Sequence, residues 1–137
     1  MLLAARQALD GKRTRLIAVT LLTSLNQDDL SELGIADTPE MMVQRLALLA
    51  QHCGLDGVVC SALEAGCLRE VTGEDFCLVT PGIRLSGGGN DDQARIATPA
   101  TAIHNGASYL VIGRPITRSP DPFGALRRFN DEVASAL

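Results

Sequence analysis

Val79-Thr-Pro-Gly-Ile-Arg84 and, one helix later, Leu110-Val-Ile-Gly-Arg-Pro115 decide how this chain is read. Each is a short apolar run that stops at glycine and continues into arginine. A buried strand ending at Gly lets a ligand approach bare backbone, and an Arg just beyond it supplies a planar fork of donors suited to phosphate. Two such strand ends in succession, separated by one helix, match the phosphate site that (β/α)₈ barrels build from the loops after strands seven and eight. The pair predicts a local phosphate site and a place for it in an α/β fold.

Outward from these motifs, four apolar runs read as strands: Leu16–Thr20, Gly57–Cys60, Phe76–Thr80 and Tyr109–Ile112. They are near-continuous in Val, Ile and Leu rather than alternating, as parallel strands buried on both faces should be. Between them the helix signals are clear. Thr38-Pro39-Glu40 is an N-cap with proline at the first helical position, followed by an apolar face of Met42, Leu46, Leu49 and Cys53 and a stop at Gly54. Ser61-x-x-Glu64 is a capping box for a short helix closed near Gly73. Thr98-Pro99 opens a helix that ends at Gly106, and Asp121-Pro122 opens a last one with Phe123, Leu126, Phe129 and Val133 on one face. Asp28-Asp29 and Asp91-Asp92 read as solvated charges in loops or helix starts.

Strand and helix alternate four times, which predicts a parallel sheet with right-handed crossovers. A complete (β/α)₈ barrel needs eight such repeats and ~250 residues, whereas this chain has 137 residues. It opens on a helix-like stretch, Met1–Leu9, with no strand before it. The expected architecture is therefore α/β, the C-terminal half of a TIM barrel. Residues 1–137 form a single unit: the last helix of the fourth βα unit, then units five to eight. Such a half would carry two raw sheet edges and an exposed barrel interior. A small doubly wound domain is the alternative.

Composition narrows the function. Only Phe76, Phe123, Phe129 and Tyr109 are aromatic and the net charge is −4, which excludes a base-stacking module or a general polyanion binder. No apolar run reaches the length of a membrane span and none reads as a signal peptide, so a cytosolic protein with no membrane and no nucleic-acid partner is expected. Cys53, Cys60, Cys67 and Cys77 form no C-x-x-C pair, and with His52 and His104 the only histidines no zinc-type cluster appears. All four read as reduced, buried thiols. Both histidines sit just before a helix-ending glycine, where the helix dipole favours them.

The runs Leu16-Ile-Ala-Val-Thr-Leu-Leu-Thr-Ser24, Cys53-Gly-Leu-Asp-Gly-Val-Val-Cys-Ser-Ala62, Leu78-Val-Thr-Pro-Gly-Ile-Arg84 and Val111-Ile-Gly-Arg-Pro-Ile-Thr117 together resemble the bacterial-type orotidine 5′-phosphate decarboxylases. The resemblance extends from Met1 to the C-terminus. It implies removal of CO₂ from orotidine 5′-monophosphate to give UMP in de novo pyrimidine synthesis, without metal or organic cofactor, by a homodimer. It implies that Thr23 sets a hydroxyl against the pyrimidine and that Arg84 and Arg114 surround the phosphate. Gly113 would bring its backbone to the same group. Gln93, in the glycine-rich loop Leu85–Ile96, would bridge phosphate and base as that loop closes. Arg95 and Arg118 receive no role.

One departure is severe. The family's catalytic centre is an Asp-x-Lys-x-x-Asp motif with a further Lys and Asp on preceding strands, and this chain has a single lysine, Lys12, and no such motif. Protonating the C6 carbanion and stabilising its charge need those groups, so no catalytic residue is assigned. Two alternatives to a decarboxylase fragment stay open. One is a related sugar-phosphate decarboxylase or synthase of the same barrel type, against which Thr23 and Gln93 speak. The other is a non-catalytic phosphate-binding half-barrel, which the missing Lys and Asp favour for this polypeptide alone.

Overall fold

The computed structural model describes residues 1–85 and 97–137. Gln93, Asp91-Asp92, Arg95 and the Gly87–Gly89 run lie outside the described residues. Four parallel strands, β1 (Ile17–Val19), β2 (Gly57–Val59), β3 (Cys77–Thr80) and β4 (Tyr109–Leu110), form one sheet in the order β1-β2-β3-β4. Each strand pairs only with its neighbours in sequence, so the doubly wound alternative, which inserts a later strand beside the first, is excluded. The strands are the cores of the apolar runs, trimmed by one or two residues where the ladder ends.

Seven helices accompany the sheet among the described residues: α1 (Leu2–Gln7), α2 (Gln27–Glu32), α3 (Pro39–His52), α4 (Ala65–Thr72), α5 (Pro99–His104), α6 (Arg114–Thr117) and α7 (Pro122–Ala134). Their caps follow the local chemistry. Thr38 and Thr98 accept from the backbone N–H of Met41 and Thr101, each with proline at the next position. Ahead of α4, the Glu64 carboxylate accepts from Ser61 N–H at 2.9 Å, while Ser61 Oγ accepts from Leu63 N–H. Residues 62–64 form a turn, so the expected capping box closes that turn and does not cap α4, whose N-cap Glu64 has no side-chain cap bond. His52 and His104 close α3 and α5 with Nδ1 2.8 Å from the carbonyls four residues back.

The helices cover one face of the sheet. Val58, Leu78 and Ala18 turn toward Val43, Ala47, Ala50, Ala65 and Leu68, and a second cluster joins Ala62, Ile83, Ala97, Ala102 and Phe129. The alternate residues turn the other way: Val19 is 57% exposed, Tyr109 56% and Val111 50%. The expectation that the strands are buried on both faces fails at these positions, and the exposed half-interior is what the structure has.

Three further expectations are corrected. The buried face of α3 is Pro39, Val43, Ala47 and Ala50, one position away from Met42, Leu46, Leu49 and Cys53; Leu49 is exposed. On α7 the buried residues are Ala125 and Phe129, whereas Phe123 and Leu126 are exposed. Small alanines let a helix backbone lie close to the sheet, and they take the contact that apolar size alone gives to Leu and Met. Cys67 is exposed and Cys53 only half-buried; Cys60 and Cys77 are buried.

Candidate phosphate rim

All four strands run the same way, so their C-terminal ends, and the segments leaving them, lie along one rim. After β1, Leu25 N–H donates to Leu22 carbonyl at 3.0 Å, closing a turn whose corner is Thr23 and Ser24. Thr23 is exposed there. After β3, Pro81-Gly82 redirects the chain, with Gly82 at φ +79°, a conformation side chains resist. Gly82 is thus a turn residue, a requirement added to the bare-backbone role read from the sequence. Ile83 is fully buried and bridges to Ala97, and Arg84 N–H donates to Ala97 carbonyl at 3.0 Å. Those bonds anchor the backbone that carries the half-buried Arg84, whose Nη1 donates to Ile83 carbonyl at 2.9 Å.

After β4 the chain enters α6 within three residues, Val111 to Gly113. Gly113 is its N-cap, with its carbonyl accepting from Ile116 and Thr117 N–H at 2.9 and 3.0 Å, which leaves the N–H groups of Gly113 and Arg114 outside the helical ladder. A Cβ built on Gly113 would meet nothing within 4 Å, so the space over this backbone is open. The contrast is Gly57, where a Cβ would collide with Cys77 carbonyl oxygen. Arg114 is half-buried and its side chain forms no hydrogen bond or ion pair among the described residues. Since β3 and β4 are adjacent, Arg84 and Gly113-Arg114 leave neighbouring strand ends, and Thr23 leaves β1, the far edge of the sheet. Gln93 lies outside the described residues.

The opposite, N-terminal edge of the sheet is bonded differently. Asp56 accepts from Leu16 N–H at 2.6 Å and from Arg6 Nη1 at 3.3 Å. Arg69 Nη1 donates to Gly73, Glu74 and Phe76 carbonyls at 2.6, 3.1 and 2.7 Å. Its Nη2 reaches Gly106 carbonyl at 2.6 Å and Ser108 Oγ at 3.2 Å. This guanidinium joins α4, β3 and the α5–β4 turn. Nothing in the sequence marks it, since an arginine in the last turn of a helix signals only favourable dipole placement. Lys12 also belongs to this edge, before β1. Cavities of about 370 Å³ between α3 and α4, lined by Met41, Leu63 and Cys67, and of about 470 Å³ beside Asp56 and Glu74, contain none of the candidate residues. Among the described residues no three His, Cys, Asp or Glu side chains gather as a metal site, and no helix is long and apolar enough to cross a membrane.

Comparison with known proteins adds an independent line. The model of the orotidine 5′-phosphate decarboxylase / HUMPS family matches residues 1–129. The whole chain is 90% identical to the orotidine 5′-phosphate decarboxylase of Nitrosomonas europaea, spanning 59% of that relative's length. With the orotidine 5′-phosphate decarboxylase of Chromobacterium violaceum it shares 57% identity over its full length and 56% of the relative's. The crystal structure of orotidine 5′-phosphate decarboxylase from Lactobacillus acidophilus superposes with a TM-score of 0.82 at 38% identity, over 97% of this chain and 58% of that one. The chain thus spans a little over half the length of the relatives it matches.

Proposed function

The chain belongs to the orotidine 5′-phosphate decarboxylase / HUMPS family, and from that premise we propose that it is the phosphate- and base-binding part of a decarboxylase converting orotidine 5′-monophosphate to UMP and CO₂. The observation that carries this reading is the pair of glycine-arginine strand ends on adjacent strands, Gly82 to Arg84 and Gly113-Arg114, on one rim. Arg84 and Arg114 hold the phosphate by charge-assisted bonds, and the open backbone of Gly113 receives one of its oxygens. Thr23 presents its hydroxyl to the pyrimidine and Gln93 links base to phosphate. Residues 1–137 act as one unit, corresponding to the last helix of the fourth βα unit and units five to eight of the barrel.

Decarboxylation leaves an electron pair on C6, and its barrier falls only where positioned charges stabilise that carbanion and a proton reaches it. This chain offers no Asp-x-Lys-x-x-Asp motif, and Lys12 precedes β1, at the other end of the sheet. In our reading this polypeptide binds the nucleotide and does not turn it over. The complete enzyme works in the cytoplasm as a homodimer, needs no metal or organic cofactor, and engages neither nucleic acid nor membrane. Calorimetric titration of the chain with UMP and with uridine tests the reading. Arg114→Ala weakens UMP by roughly 1.5–3 kcal/mol, the worth of a charge-assisted bond, and leaves uridine unchanged. Equal losses for nucleotide and nucleoside would make Arg114 a structural residue instead.

A further inference from the structure

We infer that Thr80 is a positioning residue that fixes the separation of the two phosphate-binding arginines, an inference that rests on the phosphate reading of the rim. Thr80 is the last residue of β3 and is fully buried. Valine would fill the same space, and burying a hydroxyl is unfavourable unless it is bonded. Here the bond goes across the sheet: Thr80 Oγ1 donates to Tyr109 carbonyl at 3.3 Å, while Thr80 carbonyl accepts from Val111 N–H at 2.9 Å. Thr80 therefore grips β4 on both sides of Leu110, its register partner.

The position of that grip matters because both arginines lie just beyond it. Arg84 comes four residues after Thr80, and Arg114 four residues after Leu110. The pair Thr80–Leu110 is thus the point from which both arginine-bearing segments diverge at equal distance. Two register pairs, Val79–Tyr109 and Thr80–Leu110, join β4 to β3, and Ser108 ties the start of β4 to Leu78 through its N–H and Oγ at 2.8 and 3.0 Å. The Thr80 hydroxyl is the added side-chain bond at the opposite, C-terminal end of this short pairing. A similar bond follows the strand that leads to the third candidate residue: Thr20, the residue after β1, donates Oγ1 to Val59 carbonyl at 2.9 Å, three residues before Thr23.

Amide hydrogen exchange and nucleotide titration of Thr80→Val and Thr80→Ser decide the matter. In Thr80→Val the amide of Val111, which is bonded to the Thr80 carbonyl, exchanges about three- to tenfold faster, and UMP binds weaker by a similar factor, as expected for one lost hydrogen bond. Uridine affinity and the exchange of β2 and α3 amides stay at their unaltered values, and Thr80→Ser, which keeps the hydroxyl, restores both properties. Unchanged exchange at Val111 overturns the inference. So does a serine variant as impaired as valine, or a valine variant that loosens or unfolds the whole chain. If the unaltered chain binds UMP no better than uridine, the phosphate reading fails on its own, and the exchange rates still report whether Thr80 holds the two strand ends together.

Discussion

At the scale of single residues, the two ends of the sheet divide the work. Arg69 satisfies five acceptors at the N-terminal edge. Arg69→Ala would leave them without their charged donor, and Arg69→Lys cannot span both directions of the fork. Urea unfolding is expected to show at least about 2 kcal/mol lost in either variant; a loss within error would mean that water replaces the guanidinium without cost. The cysteines separate just as cleanly. Burial, with Glu64 adding to it and Arg69 opposing, pushes the Cys60 thiol up to about 12. At pH 8, thiol-reactive reagents should label exposed Cys67 promptly and Cys60 only on unfolding. Because the folded value lies above the unfolded one, the stability this thiol contributes is complete below about pH 9 and falls away as pH rises toward 12.

At the scale of elements, α7 shows how a cap and a glycine depend on one another. Asp121 Oδ1 accepts from Gly124 N–H at 2.9 Å, and a Cβ on Gly124 would collide with the other carboxylate oxygen. Asp121→Ala should cost about 1 kcal/mol. Gly124→Ala gains about 1 kcal/mol of helix propensity but displaces the cap, so by itself it should change stability little. In the Asp121→Ala background the same alanine should stabilise by the full propensity gain, and a thermal double-mutant cycle measures the difference. Caps of this kind, and the strands, are legible in the sequence because their causes are local: Thr38-Pro39, Thr98-Pro99, Asp121-Pro122 and the Val/Ile runs need no distant partner. The short helices α2 and α6 are not, since Asn26 with Asp29 makes a capping box without a long apolar pattern behind it and α6 is a single turn. The buried faces of α3 and α7 escape a reading by apolar size because the sheet selects Ala47, Ala50 and Ala125 over larger neighbours. Of the candidate site, the rim positions of Arg84 and Arg114 come from strand ends alone, whereas Thr23 comes only from the family resemblance. The turn made by Gly82 and the clasp of Thr80 depend on partners far along the chain.

At the scale of the molecule, the sheet presents an apolar face and, among the described residues, two edges without a neighbouring strand, and an apolar groove of about 360 Å³ beside β4 is lined by Leu110, Ile112, Ile116 and Phe129. Such surface binds hydrophobic dyes and promotes association. Gel filtration of the purified chain is expected to shift toward larger species with concentration, and a sharp, concentration-independent monomer would refute this. Ultraviolet monitoring of orotidine 5′-monophosphate should reveal no decarboxylation by the chain alone, and turnover only when a polypeptide supplying the Lys and Asp groups is added. Activity that survives Lys12→Ala and vanishes with Arg114→Ala would mean that the catalytic groups are misplaced here. The order β1-β2-β3-β4 also bears on how the chain is made. Every ladder joins segments that leave the ribosome one after the other, so each new βα unit can dock on the edge laid down just before it. The register partners Ile17–Gly57, Gly57–Cys77 and Val79–Tyr109 are each separated by one βα unit, so every loop closure spans a single unit rather than the whole chain. The open edge that invites association in the test tube is, during synthesis, the growing end on which the next unit is built.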